Sequence, residues 1–285
     1  VERSAADYAH FHADWERRCA ETAARLEALA PDLLLANIPY LALAAAARIG
    51  LPAVALCSLH WALIYGHYCG DRPEAPAILE TMEAAYASAR AFLCPAPSMP
   101  MPGLGNVQPI GPLARLGQPR REELRVRLGI PEARRVAVIA PGGMPLRLSA
   151  QDWPKGDDLH WIVPADWDVA RPDMHRFDAV GMGFTDLLAS ADAVVGKLGY
   201  GTVAECACNG TPLLYVSRPD WPEEPVLADW SQRHGRCAPV TRAALAAGEL
   251  RAALEALWAQ AAPARPRPTG ADEAAALIAT ALPRA

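Results

Sequence analysis

Lysine is almost missing from this chain: Lys155 and Lys197 stand against 25 arginines. With so much alanine alongside, that imbalance reads as the mark of a GC-rich genome, and it singles out the two exceptions. Cysteine is present seven times, an odd number, and never in CxxC spacing. This argues against a disulfide framework and a closed zinc site, and makes a reducing, cytoplasmic setting the expectation. A basic excess is absent too. The net charge is −5, whereas a binder of nucleic acid or of an anionic membrane presents a basic face. The longest apolar run, around Leu41–Ile49, is shorter than the roughly 20 residues that span a bilayer. No signal peptide is visible. The first methionine is Met82 and the chain opens at Val1, so a truncated or processed product is expected.

What is present is apolar material. Hydrophobic residues make up 52% of 285 positions and charged ones 21%, which suits a folded chain of two domains. A helix is expected over Phe11–Leu29, a buried strand at Leu33–Leu35, a helix over Tyr40–Ile49 stopped by Gly50, and a strand at Ala53–Cys57. That strand–helix–strand order implies parallel pairing with a right-handed crossover. Pro76–Ala91 reads as a helix and Phe92–Cys94 as a strand. Residues 95–121, with seven prolines, read as a linker, followed by a helix over Arg120–Leu128. The α/β alternation then resumes. Strands are expected at Val136–Ala140, Leu159–Val163, Phe177–Val180, Ala193–Gly196 and Leu213–Val216. Helices are expected over Thr185–Ser190, Thr202–Asn209, Glu224–Arg233, Arg242–Ala259 and Ala271–Leu282. The pattern is α/β, two parallel sheets joined by a proline-rich junction.

The stretch Asp192–Pro225, DAVVGKLGYGTVAECACNGTPLLYVSRPDWPEEP, carries the chemistry. Its buried strand runs into Lys197-Leu198-Gly199-Tyr200-Gly201 and then into a helix near Thr202. Ligands of open α/β sheets sit at the carboxyl ends of strands, and free N–H groups at a helix start favour an anion. Gly199 and Gly201 allow close approach of a phosphate, Thr202 adds a hydroxyl, Lys197 a cation, and Glu205 a carboxylate suited to two ribose hydroxyls. The plainer reading is a tight strand-to-helix turn with Glu205 complementing the helix dipole.

This run resembles the donor-binding segment of GT-B glycosyltransferases, particularly the MurG-like enzymes. It resembles still more the glycosyltransferase-like N-terminal region of plant L-arabinokinases, with their GKxGYGTxxE run and later EEP. The stretch AARIGLPAVALCSLHWALIY and the Pro141-Gly142-Gly143 loop are similar to that group as well. The resemblance implies a GT-B fold, two Rossmann-like parallel-sheet domains facing across a cleft, the first incomplete because its opening strand and glycine-rich loop are not in the sequence. The domains would be 1–112 on the acceptor side and 113–265 for the donor, with the helix of 266–285 crossing back. It also implies the roles of the matching residues. Gly199, Tyr200, Gly201 and Thr202 would face the diphosphate, Glu205 the ribose, and Val180, Gly181 and Met182 the base. Glu223 and Glu224 would meet the donor sugar, and Gly142 and Gly143 would border the cleft.

Asn37, Ser58, Trp61 and Tyr65 follow strands of the first half and are candidates for an acceptor pocket; each could equally be core. His60 and His67 are candidate bases only because the histidine of the missing first loop is absent. The triplet Asp166-Trp167-Asp168 looks like the metal-binding DxD of GT-A enzymes, but the surrounding pattern is not GT-A. Cys206 and Cys208, two apart on a helix, point away from each other and read as core. The expected activity is transfer of a sugar from a nucleoside-diphosphate sugar to a small-molecule or glycan acceptor, without metal or cofactor. The alternatives are a non-catalytic sugar-nucleotide-binding module and a GT-B-type epimerase.

Overall fold

The computed structural model describes residues 1–142, 148, 150–156 and 158–282. Two compact units emerge: residues 1–112 together with 269–285, and residues 113–268.

The first unit holds a parallel sheet of β1 (Leu34–Ala36), β2 (Ala53–Leu56), β3 (Ala91–Pro95) and β4 (Val107–Ile110), in that spatial order. Its central strands, β2 and β3, are apolar on both faces because both faces are covered. Ala53 and Ala55 of β2 and Phe92 and Cys94 of β3 point to one side. There they meet Leu43 of α3 (Tyr40–Arg48) and Ile78, Met82 and Tyr86 of α5 (Ala75–Ala87). Val54 and Leu93, one residue out of phase, pack on the other side against Ala274, Leu277 and Ile278 of the C-terminal helix (Gly270–Ala281). The Gly111 N–H donates to Glu273 at 2.8 Å and the Gly270 N–H to the Pro112 carbonyl at 3.1 Å, fixing where that helix begins.

The structure corrects several local expectations in this unit. The first helical stretch is two helices, α1 (Glu2–Ala13) and α2 (Trp15–Leu29). Residues 61–69 form α4 (Trp61–Cys69). Strand β4 lies inside the stretch read as linker, with Pro109 in its middle. It is an edge strand, where the missing N–H faces no partner.

The second unit is a six-stranded parallel sheet. Its strands are β5 (Arg135–Ala140), β6 (Leu159–Val163), β7 (Met174–Arg176), β8 (Ala193–Lys197), β9 (Leu213–Val216) and β10 (Cys237–Val240). The spatial order is β10-β9-β8-β5-β6-β7. The helices are α6 (Arg121–Leu128), α7 (Phe177–Val180), α8 (Phe184–Ser190), α9 (Tyr200–Asn209), α10 (Glu224–His234), α11 (Arg242–Ala247) and α12 (Arg251–Ala259), with the C-terminal helix as α13. Phe177–Val180 is therefore helix, not strand; the strand is the more polar Met174–Arg176 just before it. As the sheet's outer strand, β7 bonds only to β6, so it need not be apolar throughout. The helix expected over 242–259 is two, separated at Gly248, whose φ of 71° closes α11. Strand β10, with Pro239, was not expected and is the other edge.

Candidate nucleotide site at the sheet switch point

The order β10-β9-β8-β5-β6-β7 reverses between β8 and β5: from β5 the chain builds outward one way, and from β8 the other. Loops leaving two such neighbours diverge and open a crevice at their carboxyl ends, the place where open α/β sheets bind ligands. Here those loops are Pro141-Gly142 after β5 and Leu198-Gly199 after β8, with Ser217-Arg218 after β9 alongside.

Glycine is required at the junction. Gly196 pairs with Ala140, and a methyl group on it would stand 2.4 Å from the Ala140 carbonyl oxygen. Gly142 has a φ of 67°. A methyl there would meet Lys197 Cε at 3.0 Å and Nζ at 3.8 Å, and one on Gly199 would lie 3.7 Å from the same Cε. The side chain of Lys197 thus lies along both glycine loops, with its ammonium over the switch point.

Gly199 is the extended residue that starts α9, and the first intrahelical bond runs from the Val203 N–H to its carbonyl at 2.9 Å. The N–H groups of Gly201 and Thr202 precede that bond and have no intrahelical carbonyl to meet. Gly201 is exposed, and a methyl on it would touch nothing within 4 Å among the described residues. Val203, Ala204, Cys206, Ala207 and Cys208 bury the opposite side of α9, and burial pushes the Cys206 thiol well up.

Glu205 shares a helix face with Gly201 and Thr202, one turn on, and is half-buried. Burial raises its pKa; the backbone N–H and the charge of Arg115 act in the opposite direction. Asn209, one turn further, accepts from Gly117 N–H and donates to the Arg115 carbonyl, both at 2.9 Å. Glu205 therefore also helps to hold the segment entering this unit.

Glu223 and Glu224 are both buried. Glu224 accepts from the Ser217 hydroxyl and the Arg218 N–H, and Glu223 accepts from the Trp221 indole. They brace the β9–α10 loop. Val180 is buried as the last residue of α7, and Gly181, at φ 69°, caps it; Met182 follows on the half-buried approach to α8. A methyl on Gly181 would strike the Arg127 guanidinium at 2.3 Å, so that headgroup lies against Gly181, in the expected base-reading segment. Gly143 lies outside the described residues. Asp166 and Asp168 are exposed on either side of the buried Trp167.

In the first unit the expected acceptor residues separate. Asn37, Trp61 and His67 are exposed. Ser58 is buried and donates to the Pro95 carbonyl at 2.9 Å. Tyr65 is buried, its ring centroid 4.8 Å from that of Tyr8. His60 is 2% exposed, with ring centroids 5.1 Å from Tyr86 and 6.4 Å from Phe92. Its Nδ1 is buried and has no hydrogen-bond partner among the described residues. Desolvation pulls its pKa down to about 4, so it is a neutral core histidine, at the opposite end of α4 from His67. A base at this position is not what the packing provides.

That burial has a measurable consequence. The folded pKa of His60 lies below the unfolded value, so the unfolded chain binds more protons between the two. Its contribution to stability is complete above about pH 6.5 and declines towards pH 4, by up to roughly 1.4 kcal/mol per pH unit. Urea midpoints measured from pH 7 to pH 4.5 should fall less steeply for His60→Gln than for the unaltered protein. Parallel profiles would show that His60 titrates normally.

One residue of this site escaped the sequence reading. The Arg218 guanidinium donates through Nη2 to the Leu198 carbonyl at 3.2 Å and lies over the Trp221 ring at 4.9 Å. In a chain with 25 arginines, nothing in the local pattern marks this one.

The class this fold defines is GT-B, the paired parallel-sheet α/β architecture of glycosyltransferases and of nucleotide-sugar epimerases. No family model matches the chain. The curated L-arabinokinase of Arabidopsis thaliana is 28% identical over 205 residues, 71% of this chain and 20% of that protein, so the chain spans about a fifth of that relative's length. The glycotransferase of kitacinnamycin superposes with a TM-score of 0.65 at 18% identity, covering 98% of this chain and 83% of that one. Glycosyltransferase VinC, solved with DTDP, gives a TM-score of 0.59 at 18% identity over 92% and 75% of the two chains. UDP-GlcNAc 2-epimerase from Neisseria meningitidis, solved with UDP-GlcNAc, gives 0.53 at 12% identity over 93% and 81%. Among the described residues no helix is long and apolar enough to cross a membrane.

Proposed function

We propose that the protein is a glycosyltransferase whose second unit binds a nucleoside-diphosphate sugar. The observation that carries this reading is the meeting of Lys197, the Gly142 loop and the open start of α9 at the switch point of the sheet. A diphosphate placed there is met by unpaired helix N–H groups and an ammonium, and Glu205 lies one turn away for a ribose. An acceptor hydroxyl attacks the anomeric carbon and gives up its proton to solvent, the bond from that carbon to the diphosphate oxygen breaks, and the negative charge released develops against α9 and Lys197. Stabilisation of this kind needs no metal. The neighbours solved with DTDP and UDP-GlcNAc are consistent with a nucleotide in this fold.

A thermal-shift series with UDP, GDP, dTDP and ADP tests it. One nucleotide should raise the melting temperature clearly, since 100-fold excess over Kd contributes roughly 2.7 kcal/mol. No shift with any of the four would overturn the reading. The buried His60 and the kinase relative favour, as a second reading, a sugar-nucleotide-binding module without transferase chemistry. Release of nucleoside diphosphate from the sugar nucleotide of the winning base separates the two readings.

A further inference from the structure

We infer that Arg218 is a second cation of the diphosphate site, binding the phosphoryl group farther from the nucleoside, and that Glu223 and Glu224 serve to aim it. This deepens the reading above and rests on it.

The argument starts from strand pairing. Lys197, the last residue of β8, is in register with Val216, the last of β9. Residues 217 and 218 therefore leave the sheet beside the loop that starts α9. The Arg218 headgroup crosses to that loop, and its Nη2 bonds the Leu198 carbonyl at 3.2 Å. It lies over the Trp221 ring. Among the described residues no carboxylate forms an ion pair with it, and its Nε is buried with no hydrogen-bond partner.

A guanidinium in that state is unusual. Desolvated nitrogen donors are costly when left unpaired, and a planar fork with free donors matches phosphate geometry. The loop around it is rigidly braced. Glu224 holds the Arg218 N–H and the Ser217 hydroxyl, and Glu223 holds the indole of the tryptophan on which the guanidinium lies. Both acids are buried and engaged within the loop, so a direct grip on sugar hydroxyls is not what they are built for. Lys197 on one side of the α9 start and Arg218 on the other frame an anion larger than a single phosphate.

Isothermal titration with the mono- and diphosphates of uridine, guanosine, thymidine and adenosine tests this on the unaltered protein, Arg218→Gln and Arg218→Lys. The unaltered protein should bind the diphosphate of its preferred base more tightly than the monophosphate. Arg218→Gln should weaken the diphosphate by roughly tenfold or more, the scale of a lost charge-assisted contact, and change the monophosphate far less. Arg218→Lys keeps the charge without the fork and should fall between. Equal weakening of both ligands in Arg218→Gln, with a lowered melting temperature, would show that Arg218 only braces Leu198. So would a diphosphate preference that neither variant alters. Should Arg218→Gln not fold, a diphosphate preference in Arg218→Lys equal to that of the unaltered protein overturns the inference. Absence of binding by the unaltered protein would instead remove the nucleotide reading itself.

Discussion

Replacing Arg171 by methionine is expected to destabilise the second unit by about 3–5 kcal/mol, the scale for removing one partner of a buried ion pair. The Arg171 side chain is only 3% exposed. Its guanidinium donates to both carboxylate oxygens of Asp173, at 2.9 and 2.6 Å. It also donates to the carbonyls of Ala150, Gln151 and Trp153, at 3.1, 3.3 and 2.6 Å. One headgroup therefore fastens the 150–153 segment to the entry of β7. Burial pushes the Asp173 pKa up, but the hydrogen bonds and charge of Arg171 outweigh it and hold the carboxyl below its usual value. Methionine would remove the guanidinium from that carboxylate and from the Gln151 and Trp153 carbonyls, while the Ala150 carbonyl keeps the Trp153 N–H at 3.3 Å. Six of the eight tryptophans belong to this unit, so urea unfolding followed by tryptophan fluorescence reports on it. Arg171→Met with Asp173→Asn should recover part of the loss, because no uncompensated charge then stays buried. A loss below about 1 kcal/mol in the single variant would mean that the pair behaves as a solvated surface bridge.

The second large effect is on binding, with the fold left intact. Gly201→Asp should reduce affinity for the preferred nucleoside diphosphate by about 100-fold or more, since like charges about 4 Å apart repel by roughly 4 kcal/mol near a protein surface. The melting temperature without ligand should stay level or rise. Gly201 has no positive φ, and a Cβ there meets nothing within 4 Å among the described residues. Aspartate in a first helical turn also interacts favourably with the helix dipole, by about 0.3–1 kcal/mol. Among the described residues nothing packed against this open glycine in the first turn of α9 requires it to be glycine, and the proposed diphosphate would supply a reason. Titration of both proteins with whichever of UDP, GDP, dTDP and ADP the unaltered protein prefers decides the point. Unchanged affinity in Gly201→Asp would place the diphosphate elsewhere.

Much of the site's skeleton could be read from local sequence. An apolar run at 193–196, glycines at 199 and 201, and a helix stopped by Gly210 are short-range signals, and the structure has β8, the loop and α9 there, the strand one residue longer and the helix two residues earlier. The central strands were legible for the same reason, because burial on both faces leaves an unbroken apolar run. Three of the four edge strands were not, β1 being the exception. β4 and β10 contain proline and β7 is polar at two of its three positions. Those residues are tolerated only because the outer side of an edge strand has no neighbour to bond, and a strand's place in the sheet is not written in its own residues.

The division at the site itself is similar. Sequence alone singled out Lys197, as one of two lysines beside a glycine loop. It also put Glu205 on the helix face that carries Thr202. Tertiary structure decided what surrounds them. Strand order made the gap between β5 and β8 the switch point, and so brought Gly142 against Lys197. Packing turned Glu223 and Glu224 inward as braces, and closed the ring of His60 into an aromatic core that keeps it neutral. Among 25 arginines, the register of β8 with β9 left Arg218 beside Leu198, with no carboxylate paired to it among the described residues. Charge and shape are properties of a residue, but whether a charge meets a partner depends on which distant strands are neighbours.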